Sequence, residues 1–174
     1  MKNTSLNNIS IWFNIINDNN LIINELNNII WNQSMRSRFT ASFGKKYNYS
    51  NDEITTSIPF FLNELKRKVD MIIGYENNNI LINYYFEGSS KMGFHSDDLE
   101  QLEQNTGVLI YSLGDSRIIR FKNKIDKNKT FDLTLYNDSL LFMSNEIQEE
   151  WLHSILASEN PSNKRISITF RKLQ

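Results

Sequence analysis

Apolar residues in the first third of the chain recur at two spacings. ISIWFNII (9–16) is a short, mostly apolar run of strand length. Leu21, Ile22, Leu26, Ile29 and Ile30 then fall three and four apart, the spacing of one helix face, with Asp18 placed to cap that helix and Trp31 ending it. From Trp31 to Ser50 the periodicity fades, and WNQSMRSRFTASFGKKYNYS reads as irregular or hairpin-like, with Gly44 as a turn. Pro59 opens a second helix, IPFFLNELKRKVDMII, whose Phe60, Leu62, Leu65 and Val69 describe an amphipathic face.

Beyond these helices the pattern changes to short strands split by turns: ILINYYF (80–86), GVLIYSL (107–113), RIIRF (117–121), FDLTLY (131–136), SLLFMS (139–144) and RISITFR (165–171). The last alternates cleanly, with Ile166, Ile168 and Phe170 on one face and Arg165, Ser167, Thr169 and Arg171 on the other. Two helices followed by at least six strands predict an α+β domain on a packed antiparallel sheet, a sandwich or a barrel. No repeat and no linker rich in Pro, Gly or Ser divides the chain, so residues 1–174 are expected to form a single domain.

Composition sharpens this picture in a few places. A chain of 174 residues that is 40% hydrophobic and 12% aromatic can build a proper core. Its net charge of -1 gives no bulk attraction to nucleic acid or to an anionic membrane, so any such affinity must come from a local patch. The absence of cysteine excludes disulfides and thiolate metal sites. No apolar run approaches the roughly 20 residues of a membrane-spanning helix. The start MKNTSLNNIS lacks the charged and apolar regions of a signal peptide. A soluble intracellular monomer, in cytoplasm or nucleus and away from membranes, is the expectation.

Candidate chemistry begins at GFHSDD (93–98). His95 and Asp97 are two apart, so in an extended segment both side chains leave one face and offer an imidazole nitrogen and a carboxylate oxygen to one metal ion. Alone, such a pair is ordinarily an accident of a surface loop. The second of only two histidines, His153 in EEWLHSI, changes this, because two histidines and one carboxylate make the facial triad of non-haem Fe(II) oxygenases, with three coordination positions left open. The competing reading of His153 is a core histidine satisfied by a backbone carbonyl. Arg165 and Arg171 share the polar face of the terminal strand and could each grip a carboxylate bidentately; the competing reading is an edge strand guarded by charge.

His-x-Asp, a histidine 56 residues later and an arginine 12 residues after that form an ordered series. In that series, and in RFTASFGKKYNYS, ILINYYFEGSSKMGFHSDD, SLLFMSNEIQEEWLHSI and RISITFRK, the chain resembles the Fe(II)- and 2-oxoglutarate-dependent dioxygenases, and within them the AlkB-like nucleic-acid demethylases. The resemblance runs from about Trp31 to Lys172. It implies a double-stranded β-helix, or jelly-roll, core with the N-terminal helices packed on one sheet, and iron held by His95, Asp97 and His153. It also implies 2-oxoglutarate gripped by Asn83, Tyr85, Arg165 and Arg171, with O₂ as the oxidant. Asn83 and Tyr85 are two apart on one strand face and offer an amide and a phenol to carboxylate oxygens; without the resemblance, Tyr85 reads equally well as a half-buried strand tyrosine. The implied activity is oxidative demethylation of N-alkylated DNA or RNA bases, in which a hydroxylated N-methyl group leaves as formaldehyde. The alternative keeps the oxygenase chemistry and acts on a small molecule or a protein side chain.

Between Gln33 and Asn51 the chain carries Arg36, Arg38, Lys45 and Lys46 with no acidic residue, interleaved with Phe39, Phe43, Tyr47 and Tyr49. Charge for phosphates and rings for stacking suit a flipped or single-stranded base. In the family this segment is part of a lid over the base, so residues 31–50 are the candidate lid, with Arg38, Phe43, Tyr47, Tyr49 and Ser50 as candidate substrate contacts. A solvated hairpin with ordinary packing aromatics is the competing reading. Lys122, Lys124, Lys127 and Lys129 form a second basic run that reads as an exposed loop. Leu99 stands where repair-type members carry an acid that helps read the base, and Ser167 stands where an Asn is common.

Overall fold

The structure is a computed structural model that describes residues 4–6, 8–16, 18–47 and 56–174. Its strands are β1 (Thr4–Leu6), β2 (Ile9–Phe13), β3 (Phe39–Gly44), β4 (Asn79–Tyr85), β5 (Met92–His95), β6 (Gly107–Gly114), β7 (Arg117–Asn123), β8 (Thr130–Leu135), β9 (Ser139–Ser144), β10 (Trp151–Ile155) and β11 (Arg165–Arg171). Among the described residues three helices join them: α1 (Asn20–Leu26), α2 (Phe60–Ile73) and α3 (Asn145–Glu150). The strands form a seven-stranded sheet in the order β1-β2-β9-β6-β11-β4-β3 and a four-stranded sheet in the order β5-β10-β7-β8. Neighbours pair antiparallel throughout. No helix among the described residues is long and apolar enough to cross a membrane.

Two apolar layers explain why the large sheet is covered on both faces. On one side, Ile22 and Leu26 of α1 and Leu62, Leu65 and Val69 of α2 pack against Ile80 and Ile82 of β4, Leu109 and Tyr111 of β6 and Ile168 and Phe170 of β11. On the other, Val108, Leu141 and Met143 meet Ile119, Phe121, Leu135 and Ile155 of the small sheet. Strand β11 runs between β4 and β6, so the arginines of its polar face do not guard an edge. That face carries Arg165, Ser167, Thr169 and Arg171, all buried on the side of the sheet opposite the helices. Two buried guanidiniums between apolar sheets are expensive unless something pairs with them, which marks this interior as a site.

Several expected elements shift. The first strand stops at Phe13, because Asn14 takes a left-handed conformation, φ 57°. Helix α1 ends at Leu26, leaving Ile30 96% exposed, and Asn19 rather than Asp18 is its N-cap; the Asp18 carboxylate accepts the Asn20 amide at 2.9 Å. Phe60 starts α2 but is 88% exposed, so the buried stripe is Leu62, Leu65 and Val69. The stretch expected to be irregular or hairpin-like has an antiparallel bridge between Asn32 and Thr40 and contains β3, which pairs with β4 from Phe39–Tyr84 to Gly44–Asn79. Gly44 is required there: its φ is 79°, and a Cβ would lie 2.2 Å from the Asn78 carbonyl oxygen.

Candidate active site

Strands from both sheets deliver the site. His95 ends β5 and His153 lies at the middle of β10; the two are direct cross-strand partners, with ring centres 4.3 Å apart. Asp97 follows two residues after His95, and its backbone amide donates to Gln148 Oε1 at 3.0 Å from α3. From the large sheet, Asn83 and Tyr85 pair across β4–β11 with Ser167 and Arg165. These side chains, with Arg171, Arg38 and Tyr47, line one cavity of about 430 Å³.

The Asp97 carboxylate is divided between two tasks. Its Oδ1 accepts Arg171 Nη2 at 2.6 Å and Nε at 3.0 Å, with the Tyr47 hydroxyl at 3.4 Å. Its Oδ2 lies 3.9 Å from His153 Nε2. Burial opposes the charge on Asp97, but Arg171 and then the two histidines outweigh it and hold the carboxyl below its ordinary value. His153 is pushed the other way from an ordinary histidine: burial, and then His95, lower its pKa to about 4, so near neutral pH it is an uncharged imidazole able to ligate. His95 Nδ1 sits 2.9 Å from the Gly93 carbonyl oxygen, which can only accept; Nδ1 therefore bears a hydrogen, which leaves Nε2 as the nitrogen that could meet a cation.

The donor set, two imidazoles and one carboxylate, is the one a non-haem iron site uses. Among the described residues no three such side chains already close around a single point. Adjacent donors about 2.1 Å from one ion lie about 3 Å apart. The Asp97–His153 pair, at 3.9 Å, therefore needs a small inward turn of either side chain. In donor type, and in lining one cavity, His95, Asp97 and His153 suit a divalent ion once the three side chains close in.

The fit to a dicarboxylate is more direct. Arg165 is 1% exposed, donates Nη2 to Ser112 Oγ at 2.9 Å, and stands 5.3 Å over the Tyr85 ring. Its Nε and Nη1 have no partner, and burial lowers its pKa, the mark of a guanidinium out of water without a counter-ion. A carboxylate entering the cavity can accept a charge-assisted hydrogen bond from one of these free donors. Arg38 Nε donates to Asn83 Oδ1 at 2.8 Å, which turns the Asn83 amide so that Nδ2 is its remaining donor.

Of the candidate substrate contacts, Arg38 and Tyr47 reach this cavity. Phe43 does not: it packs against the helix-side core, on the opposite face of β3, because alternation along that strand turns it away. Tyr49 and Ser50 lie outside the described residues. Leu99 packs against the core between the sheets. Gln148 and Ser112, which hold Asp97 and Arg165, were not anticipated; each is an ordinary polar residue with no spacing signal.

The family model of the 2OG-Fe(II) oxygenase superfamily matches residues 24–171, and the chain belongs to that superfamily. Its relatives there are AlkB-like. It is similar to the DNA oxidative demethylase ALKBH2 of Bos taurus, 28% identical over 153 residues that cover 82% of this chain and 55% of that protein. It is also 34% identical over 111 residues to the uncharacterized protein R406 of Acanthamoeba polyphaga mimivirus, covering 63% of this chain and 56% of that one. The chain thus spans little more than half the length of these curated relatives. The solved structure of OsALKBH1 matches with a TM-score of 0.77 and 16% identity, over 98% of this chain and 100% of that one, and shares its double-stranded β-helix fold.

Proposed function

We propose that the chain is an Fe(II)- and 2-oxoglutarate-dependent oxidative demethylase acting on N-alkylated bases of DNA or RNA. His95, Asp97 and His153 would hold the iron, and Asn83, Tyr85, Arg165 and Arg171 the co-substrate. The observation that carries this reading is the buried guanidinium of Arg165, with Nε and Nη1 unpartnered, in the same cavity as two imidazoles and a carboxylate. The choice of substrate is supported by the similarity to a DNA oxidative demethylase and by Arg38 on the cavity wall.

Bound Fe(II), with 2-oxoglutarate and O₂, supplies the oxidising power that hydroxylates an N-alkyl carbon, which then leaves as an aldehyde. The protein does the rest. Arg165 pairs with the far carboxylate of the co-substrate and fixes its reach into the cavity. Arg171 keeps Asp97 ionised and turned, and burial keeps His153 unprotonated. The two sheets exclude water from the reacting end.

The test is succinate formation from 2-oxoglutarate by protein loaded with Fe(II) without air and then aerated, with and without an N-methylated oligonucleotide. Wild type is expected to turn over faster with the oligonucleotide, and His95→Ala to fall to background. Turnover that ignores the oligonucleotide overturns the substrate, and no turnover in either protein overturns the enzyme.

A further inference from the structure

The sequence pattern assigns Tyr47 to the base, but the structure gives its side chain other partners. The hydroxyl accepts the Asp98 backbone amide at 2.7 Å and faces Asp97 Oδ1 at 3.4 Å. The ring lies over Arg171, with the guanidinium carbon 4.3 Å from the ring centre. The hydroxyl and one ring face of Tyr47 are therefore already committed, which leaves little of it for stacking on a nucleotide.

Tyr47 also comes from a different part of the chain from the groups it touches. The Lys45 backbone amide donates to the Asn78 carbonyl at 2.7 Å, the Lys45 carbonyl accepts Asn79 Nδ2 at 2.8 Å, and Lys45 Nζ reaches the Gln174 carbonyl. The strip is pinned two residues before Tyr47, and the side chain then reaches onto Asp97. Arg171 holds the same oxygen from β11, so the carboxylate is clamped on one side from two elements, with Oδ2 turned to His153.

We propose that Tyr47 is a positioning residue for Asp97, fixing the rotation of the carboxylate so that Oδ2 stays available to a divalent cation, instead of a residue that stacks on the substrate base. The inference rests on the metal site proposed above. Linkage makes it reciprocal: a cation that draws Asp97 into place must also hold Tyr47 and the strip before it.

Mn(II) serves as a redox-stable probe with the full chain. Tyr47→Phe keeps the ring over Arg171 and removes only the hydroxyl. It is expected to raise the Mn(II) Kd about tenfold, the lower end of what loss of an outer hydrogen bond to a ligand does. The KM for a methylated oligonucleotide at saturating Fe(II) is expected to stay unchanged. In wild type, Mn(II) is expected to slow amide exchange in peptides spanning 39–47, a readout that needs no variant to fold. An unchanged Kd, a raised oligonucleotide KM at saturating Fe(II), or unaltered exchange of that segment each overturns the proposal. Wild type that binds no Mn(II) overturns instead the metal site, and this inference falls with it.

Discussion

His153 and Asp97 are buried side by side, and each is held in the protonation state that a cation would need. For His153 this has a consequence for stability. Its pKa, about 4 in the fold against an ordinary 6.5, means that between these values the unfolded chain binds a proton that the folded one refuses. Stability from this group is intact above pH 6.5 and is lost as pH falls, by about 3 kcal/mol by pH 4. Asp97, held below its ordinary value, works in the same direction only at still lower pH. Denaturant unfolding of the chelator-treated protein at pH 7 and pH 4 should show this loss in wild type. His153→Gln should lose that part of it. Equal acid sensitivity in the two proteins would mean that His153 is not buried as a neutral group.

At the scale of elements, Arg117 opens β7 and binds together two loops that flank β5 and β10. Its Nη1 donates to the Gly88 carbonyl at 2.7 Å, and its Nη2 donates to those of Glu87 at 2.7 Å and Asn163 at 2.9 Å. Arg117→Met would remove all three bonds; the Gly88 and Glu87 carbonyls keep the Ser158 and Ser90 amides, the Asn163 carbonyl loses its partner, and the change is expected to cost about 1–3 kcal/mol. An unchanged denaturation midpoint would show that the loops close without the staple. Nothing in RIIRF announces this role, since an arginine at a strand end reads as solvated. The same ambiguity runs through the chain. The alternation of RISITFR correctly separates its two faces, but a polar face looks alike whether it meets water or a closed cavity; its central place became visible only with β4 and β6 on either side. Strands β5 and β10 escaped because MGFH and WLHSI are short and interrupted by Gly, Ser and His. Their histidines were legible as a chemical set, by type and order, although the strands that bring them together were not. Phe43 shows the converse: a suitable residue in a suitable segment, turned the wrong way by the pleat.

For the whole molecule, the two sheets enclose polar groups that the protein alone leaves incompletely satisfied, and an anionic ligand would complete them. A ligand that binds only the folded chain adds about 2.7 kcal/mol at a concentration of 100 Kd. For a chain of this size that is a rise in Tm of about 5–10 °C. Mn(II) together with 2-oxoglutarate should produce such a shift in wild type. Arg165→Met is the informative variant, because it removes a buried charge whose Nε and Nη1 have no partner and puts an apolar chain of similar length in its place. The ligand-free variant should therefore melt close to wild type, while the shift that 2-oxoglutarate adds beyond Mn(II) alone disappears. If 2-oxoglutarate still raises Tm equally in Arg165→Met, its carboxylate is held elsewhere. The orphaned donors of Arg165 would then need another partner, and Arg38, in the same cavity and bonded to Asn83, would be the next guanidinium to remove.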